Sequence, residues 1–254
     1  MEPTPNADQP KLFIRVVPPI DQSMTLYQMV SKWKPKSWES VFDEAVDDLE
    51  ELSTILEEQE KTYGIWFPLK KDLFRAFELT PLNEVKVCLV GQDVYPSIGA
   101  DGEARATGCS FSVRRTDEIP GSLRNIFTEI KNEYPDWKYP FHGCLDNWAR
   151  QGILLLNKCL TIKPNEPMSH GEIWDGFLTH VFKAIERTKP NCIYVLWGKE
   201  AQKVKKYLNN KAVILEAAHP SNRSANRGFY GCGHFKKINE LLVSFGETPI
   251  NWNL

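Results

Sequence analysis

The sequence lacks several features that would point to large classes of protein. None of its six cysteines forms a C-x-x-C pair, so neither a zinc knuckle nor an iron–sulfur cluster is indicated. The net charge of −2 shows no basic surplus of the kind that bulk polyanion binders carry. No apolar run could span a bilayer, and the first ten residues lack the basic and apolar parts of a secretion signal. We therefore expect a soluble, intracellular protein with reduced thiols and no membrane contact, in the nucleus or the cytoplasm.

The length favours one folded domain over two. A chain of 254 residues with 42% hydrophobic content can bury a proper core. Residues 1–35 contain several prolines and little periodicity, which predicts an N-terminal tail or loosely packed arm. Residues 36–254 are then the domain proper. Within it, apolar residues recur at helical spacing among acidic ones over 37–61, which predicts an amphipathic helix.

Four short apolar runs follow, over residues 85–90, 153–156, 193–197 and 213–217. Continuous apolar runs of this length are typical of strands buried on both faces, and the stretches between them are long enough for crossover helices. The pattern predicts an α/β fold, a three-layer α/β/α sandwich with a short central parallel four-stranded sheet.

Polar or small residues follow each run. The first run leads into GQDVYP, the second into Asn157, the third into Gly198 and Lys199, and the fourth into His219. Ligands of open parallel sheets bind beyond the carboxyl ends of the strands, so a carboxylate, an amide and an imidazole are expected to converge there. Taken singly, an aspartate after a strand is more often a turn cap, and a histidine there more often structural.

Five segments together resemble the classical, family 1 uracil-DNA glycosylases: GQDVYP, TGCSFSV, LLLNKCLTI, VLWGKEAQ and HPSNRSANRGFYGCGHF. The resemblance runs from about residue 38 to the C-terminus. It implies a monomeric DNA repair enzyme of the uracil-DNA glycosylase fold, which flips deoxyuridine out of single- or double-stranded DNA. The enzyme would hydrolyse the N-glycosidic bond as a monofunctional glycosylase and leave an abasic site. Neither a metal nor an organic cofactor is implied.

The resemblance implies roles for three residues. Asp93 matches the catalytic carboxylate that positions water and offsets the positive charge developing on the sugar. His219 matches the histidine that hydrogen-bonds uracil O2 as the base departs. Asn157 matches the amide that accepts from N3–H and donates to O4, a pattern that cytosine reverses. For Asn157, a turn asparagine closing a strand remains the alternative.

Three further residues are expected in the uracil pocket. Phe111 matches the ring that stacks on uracil, and Tyr95 the side chain that crowds C5 and rejects the methyl group of thymine. Either aromatic could instead belong to the core, the default for rings beside strands. Gln92 is expected to support the pocket, with an exposed strand-end amide as the alternative.

The remaining assignments concern DNA. Arg223 stands where many family members carry leucine, and its guanidinium could either fill the emptied base stack or only contact the backbone. Lys199 replaces a small polar residue and could bind phosphate by charge. Because the net charge is negative, DNA binding must come from local basic clusters, such as the lysines at 203, 205 and 206. The expected DNA contacts are Ser122, Gly198, Lys199, Ser221, Arg223 and Arg227.

Departures from the family pattern leave rival hypotheses open. Val94 replaces the usual proline, Pro96 replaces a histidine, and the loop over 97–107 looks expanded. One rival is a weak or inactive scaffold of this fold that binds DNA and serves a replication or repair protein through its N-terminal region. The other is a glycosylase of wider range that attacks mismatched thymine or hypoxanthine, against which Tyr95 and Asn157 argue.

Overall fold

The computed structural model describes residues 21–99 and 102–254. Most of the predicted arm, and two positions of the loop over 97–107, therefore lie outside the described residues. Within the described part of the chain, no helix is both long and apolar enough to cross a membrane.

The centre of the molecule is a four-stranded sheet. Its strands are β1 (Val87–Asp93), β2 (Ile153–Cys159), β3 (Ile193–Trp197) and β4 (Val213–Ala217). They lie in the order β2-β1-β3-β4, and all three pairings are parallel. Every residue of β2 and β3 is buried, as continuous apolar runs predict. The α/β prediction with a central parallel four-stranded sheet is confirmed.

Helices cover both faces of this sheet. On β3, the ring of Tyr194 lies 6.2 Å from Phe182, whereas Trp197, three residues on, lies 5.9 Å from Phe235. Residues an odd number apart on a strand point to opposite faces, so the two phenylalanines belong to opposite helical layers. The helices are α1 (Leu26–Lys32), α2 (Glu39–Glu44), α3 (Val46–Tyr63), α4 (Arg75–Leu79), α5 (Gly121–Glu133), α6 (Asp146–Ala149), α7 (Asp175–Thr188), α8 (Lys199–Gln202) and α9 (His234–Ser244).

The prediction of a single helix over 37–61 is wrong, because the structure has two helices, α2 and α3, in this region. A 3-10 turn at Lys36–Trp38 leads into α2, and Ala45 (φ −103°, ψ 17°) separates α2 from α3. Ala45 is buried, and Phe42 of α2 packs edge-on against Phe177 of α7, with ring centroids 5.2 Å apart. The break allows α2 and α3 each to pack on α7. Tertiary packing therefore overrides the helical periodicity at this point.

The predicted arm contains a helix that packs on the domain. Helix α1 begins with a capping box, in which the Thr25 hydroxyl accepts from Gln28 N and the Gln28 side chain accepts from Thr25 N. Leu26, Met29 and Val30 are buried, and α1 contacts α3. Packing against the core therefore extends to the N-terminal side of residue 35.

Candidate active site

The topology of the sheet points to one edge as the place for a ligand. From β1 the chain passes to β2 on one side, and from β3 it passes to β4 on the other. Such a reversal opens a crevice beyond the carboxyl ends of the two central strands, here β1 and β3. The polar residues that follow the apolar runs lie along this edge.

Asp93 is held by the strand itself. Strand β1 runs three residues beyond the predicted apolar run, because Gly91 pairs with Asn157 and Asp93 pairs with Cys159 of β2. Oδ2 of Asp93 accepts a hydrogen bond from the backbone N–H of Met168 at 2.8 Å. Burial raises the pKa of Asp93, against the lowering effect of the Met168 N–H. A partly desolvated carboxylate thus faces the crevice from a rigid element.

Asn157 is a buried amide with an unused acceptor. Its side chain is 3% exposed, and Oδ1 has no hydrogen-bond partner. A buried acceptor without a protein partner is free to bind a donor from a ligand, and this one lies near the carboxyl end of β2. Gly91 makes room for it: a Cβ at Gly91 would lie 2.2 Å from Asn157 Oδ1. The sequence prediction overlooked Gly91, which only its register opposite Asn157 brings out.

His219 has a defined tautomer. The backbone N–H of Ser221 donates to Nδ1 at 3.0 Å, so the proton of the neutral ring is on Nε2. Burial lowers the pKa of His219, which keeps the ring neutral at pH 7. Gly198 (φ 92°) lets the ring approach β3, because a Cβ there would lie 2.8 Å from Cβ of His219. His219 is therefore a neutral N–H donor.

Phe111 and Tyr95 form the aromatic part of the crevice. The Phe111 ring lies 5.9 Å from the imidazole of His219 and 5.8 Å from the ring of Trp197. Phe111 has a left-handed backbone (φ 60°), a strained conformation that is common at binding sites. The Tyr95 hydroxyl donates to the Phe111 carbonyl at 3.2 Å. Burial raises the pKa of Tyr95, so this donor keeps its proton.

Gln92 supports the carboxylate only weakly. It is half-buried, and its Nε2 lies 3.4 Å from Asp93 Oδ1, near the limit of a hydrogen bond. This oxygen is left largely available for another donor.

The loop after β4 is fixed to helix α5. Nδ2 of Asn125 donates to the Pro220 carbonyl at 2.7 Å and to Asn222 Oδ1 at 2.9 Å. Oδ1 of Asn125 accepts from the Tyr230 hydroxyl at 2.8 Å. Sequence reasoning missed Asn125, because its partners lie about a hundred residues further along the chain. The half-buried Ser122, at the start of α5, thus lies on an element anchored to the His219 loop.

The other predicted DNA contacts differ in accessibility. Lys199, Arg223 and Arg227 are exposed. The hydroxyl of Ser221 is 2.9 Å from that of Ser224, which in turn donates to the His219 carbonyl. Ser221 therefore shapes the histidine loop directly.

The predicted basic cluster at 203–206 is paired with acidic residues. Lys203 contacts Glu200 at 2.7 Å, Lys205 contacts Glu216 at 2.8 Å, and Lys206 contacts Asp175. These lysines are exposed but locally neutralised, so they present less free positive charge than the sequence suggests.

His170, which the sequence gives no chemical task, is a buried structural histidine. Its Nδ1 lies 2.8 Å from the Thr161 hydroxyl, which also accepts from Trp174 Nε1. Burial, assisted by Lys163, lowers the pKa of His170 to about 4. The neutral ring lies two residues from Met168, which binds Asp93, and so supports that segment.

Potential metal ligands within 21–99 and 102–254 gather at one place, between α5 and the segment before α9. They are Glu129, Glu133 and Cys232. The carboxylates already accept backbone N–H groups: Glu129 from Gly231 at 2.9 Å, and Glu133 from Lys236 at 2.6 Å. Glu129 thus anchors the segment before α9, and Glu133 anchors the first turn of α9. All six cysteines are free, as predicted.

Comparison with known families and sequences agrees with this geometry. The family model "Uracil DNA glycosylase superfamily" matches residues 77–243. A uracil-DNA glycosylase of Proteus mirabilis is 41% identical over 224 residues, covering 87% of this chain and 97% of the relative. One of Escherichia coli K12 is 41% identical over 206 residues, covering 80% and 87%.

Solved structures of uracil-DNA glycosylases are also similar to this chain. The crystal structure of mimivirus uracil-DNA glycosylase superposes with a TM-score of 0.78 at 29% identity, covering 90% of this chain and 89% of that one. A mimivirus Y322F variant in complex with UGI superposes with a TM-score of 0.83, also at 29% identity.

Proposed function

Because the chain belongs to the uracil-DNA glycosylase superfamily, we propose that Asp93, Asn157 and His219 carry out its reaction at the carboxyl edge of the sheet. The protein is a DNA repair enzyme, a hydrolase of N-glycosyl bonds that excises uracil from DNA. The observation that carries the assignment of the site is the position of Asn157, whose Oδ1 has no protein partner. It pairs with Gly91, two residues before Asp93, at the same edge of the sheet as the end of β4, which leads into His219.

Uracil recognition begins with extrusion of the nucleotide from the DNA. The flipped base enters the crevice and stacks on Phe111, whose ring is already held against Trp197. Oδ1 of Asn157 accepts from N3–H, and its Nδ2 donates to O4. Uracil thereby supplies a donor for Asn157 Oδ1, which has no partner within the protein.

Bond cleavage then depends on opposite charges at its two ends. As the bond between C1′ and N1 breaks, the electron pair leaves with uracil, and negative charge develops on O2. Nε2–H of His219 stabilises that charge, while the Asp93 carboxylate stabilises the positive sugar. A water oriented by Asp93 forms the new bond to C1′ and gives its proton to the Asp93 carboxylate. Through solvent, that proton finally neutralises the released uracil anion, and an abasic site is left.

Lys158, which follows Asn157, does not offer a nucleophile. It is buried, with Nζ 3.3 Å from Asp175 Oδ1, and by strand alternation it points to the face opposite Asn157. This supports water as the nucleophile and a monofunctional glycosylase.

The contacts with DNA are also part of this proposal. We assign them to Ser122, Gly198, Lys199 and Ser221, with Arg223 entering the space that the flipped nucleotide leaves and Arg227 at the phosphates. We also propose that the catalytic domain begins before residue 36, because α1 packs against α3. The N-terminal region is proposed to bind a replication or repair partner.

The test is excision in the presence of EDTA. Oligonucleotides containing a single uracil or thymine at one position are incubated with the protein, and abasic sites are cleaved by alkali. We expect strand cleavage at uracil only, undiminished by EDTA. No cleavage by well-folded protein would favour the inactive DNA-binding scaffold.

A substitution at Tyr95 tests the basis of thymine rejection. We expect Tyr95→Ala to excise thymine at a detectable rate, because the space beside C5 is then open to a methyl group. Tyr95→Phe is the matched control: it loses only the hydrogen bond to the Phe111 carbonyl and should still reject thymine. If both variants excise thymine equally, the hydrogen bond and not the ring is responsible.

A further inference from the structure

The loop over 138–144 exposes two aromatic rings. Phe141 is fully exposed (103%), and Tyr139 is 44% exposed. A single exposed apolar side chain is ordinary on a protein surface, but neighbouring exposed rings are a feature of binding sites. Because the ring of Phe141 is fully exposed, it contributes almost nothing to the stability of the fold.

This loop is joined to the active site through the backbone. Val113 N donates to the Gly143 carbonyl at 3.0 Å. Val113 lies two residues after Phe111 of the uracil pocket, and Gly143 lies two residues after the exposed Phe141. Even with fully extended chain on either side of this hydrogen bond, the Cα atoms of Phe111 and Phe141 would lie no more than about 19 Å apart. About six stacked bases at 3.4 Å each span this distance, and an extended single strand needs fewer.

The loop also lies beside helix α5, which begins next to the proposed phosphate contact Ser122. The Tyr139 ring packs edge-on against Phe127 of α5, with centroids 5.6 Å apart. At the start of α5, Gly121 approaches the side chain of Asn222, in the histidine loop. Tyr139 therefore packs on the helix that carries the proposed phosphate contact Ser122.

Positive charge accompanies the rings. Arg115 and Arg124 are exposed, with Arg115 hydrogen-bonded to the His142 ring and Arg124 bonded to the Ile119 carbonyl. Arg124 is close enough to Tyr139 to act on its hydroxyl electrostatically. Burial, followed by Arg115, lowers the pKa of His142, so the ring adds no charge at pH 7. Exposed rings with flanking arginines are the composition of a single-strand binding surface.

We propose that Phe141, supported by Tyr139, Arg115 and Arg124, is a stacking platform for an unpaired base of the strand that carries the uracil. This inference rests on the proposed function, since it extends the strand that the active site holds. An unpaired base offers a free face to Phe141, whereas bases within a duplex are covered by their neighbours. The platform is thus specific for single-stranded flanks.

Binding measurements separate this platform from the active site. The probes are a trinucleotide, a single strand of about 15 nucleotides and the matching duplex, each with 2′-fluoro-deoxyuridine to prevent cleavage. Because Phe141→Ala loses one base–ring stack, it should bind the long single strand about 5- to 150-fold more weakly than wild type does. Phe141→Ala should bind the trinucleotide and the duplex as tightly as wild type does.

Two controls and a second readout complete the test. Phe141→Trp should retain binding, and Val243→Ala, which trims another exposed apolar side chain on α9, should change nothing. With 2-aminopurine at successive flanking positions, wild type should quench one position that Phe141→Ala does not. Equal affinity of wild type and Phe141→Ala for all three probes would overturn the platform. Cleavage of a uracil trinucleotide by Phe141→Ala separately reports whether the active site works.

Discussion

Asp93→Asn should lower the kcat for uracil excision on the order of 10³-fold, which is about 4 kcal/mol of transition-state stabilisation. The amide keeps the shape of the carboxylate but not its charge. An anion in a partly desolvated crevice interacts strongly with a positive sugar, because little water screens the interaction. Single-turnover cleavage of a uracil oligonucleotide measures the loss. Binding of uncleavable uracil DNA should change by less than about threefold, since Asp93 acts on charge that exists only in the transition state.

The pH dependence of kcat distinguishes Asp93 from His219. Burial raises the folded pKa of Asp93 above its ordinary 3.8 and lowers that of His219 below its ordinary 6.5. Activity requires the carboxylate, so kcat of wild type should fall as the pH drops through the raised pKa of Asp93. The residual activity of Asp93→Asn should lack this fall. If the variant keeps the same acid limb, protonation of His219 and not of Asp93 sets it.

Asn157→Asp should reverse the choice of base. We expect uracil excision to fall about 10³-fold or more, because a site built to bond one pattern rejects its reverse strongly. A carboxylate cannot donate to O4 of uracil, whereas it can accept from the amino group of cytosine. The side chain has the same shape, so it fits over Gly91. Excision rates on matched oligonucleotides containing uracil or cytosine measure the reversal.

Asn157→Ala is the control for this reversal. It removes both hydrogen bonds and introduces no acceptor, so it should lose uracil excision without gaining cytosine excision. Cytosine cleavage by Asn157→Ala would mean that pocket size and not the amide selects the base. Unchanged uracil excision by Asn157→Asp would remove Asn157 from recognition altogether.

The sequence predicts the sheet well because a buried strand is indicated by a short apolar run, which needs no knowledge of distant residues. Strand β3 has the predicted bounds because it is a continuous apolar run, and β4 also has them although Glu216 interrupts its apolar residues. Strand β1 extends further than predicted. Its last three residues are polar or small, so the apolar run ends before them, but pairing of Gly91 and Asp93 with β2 continues the strand. The break at Ala45 was missed for a related reason: packing on α7 decides it, and helical periodicity carries no sign of it.

The candidate site is predictable in its residue types and much less so in its geometry. Asp93, Asn157 and His219 follow apolar runs, so the rule for parallel sheets brings them together. The left-handed backbone of Phe111 and the pairing of Lys206 with Asp175, 31 residues earlier, depend on contacts distant in the chain. Periodicity and composition contain no signal for such contacts.

The hydrogen bonds of Asn125 fix the backbone of the histidine loop, residues 218–224, independently of the side chain at position 223. Asn125 fixes Pro220 and Asn222 on one side of Arg223, while Ser224 fixes the His219 carbonyl on the other. Arg223 projects from a frame that does not depend on its own side chain. The side chain at position 223 can therefore change in evolution without altering the contacts that hold His219.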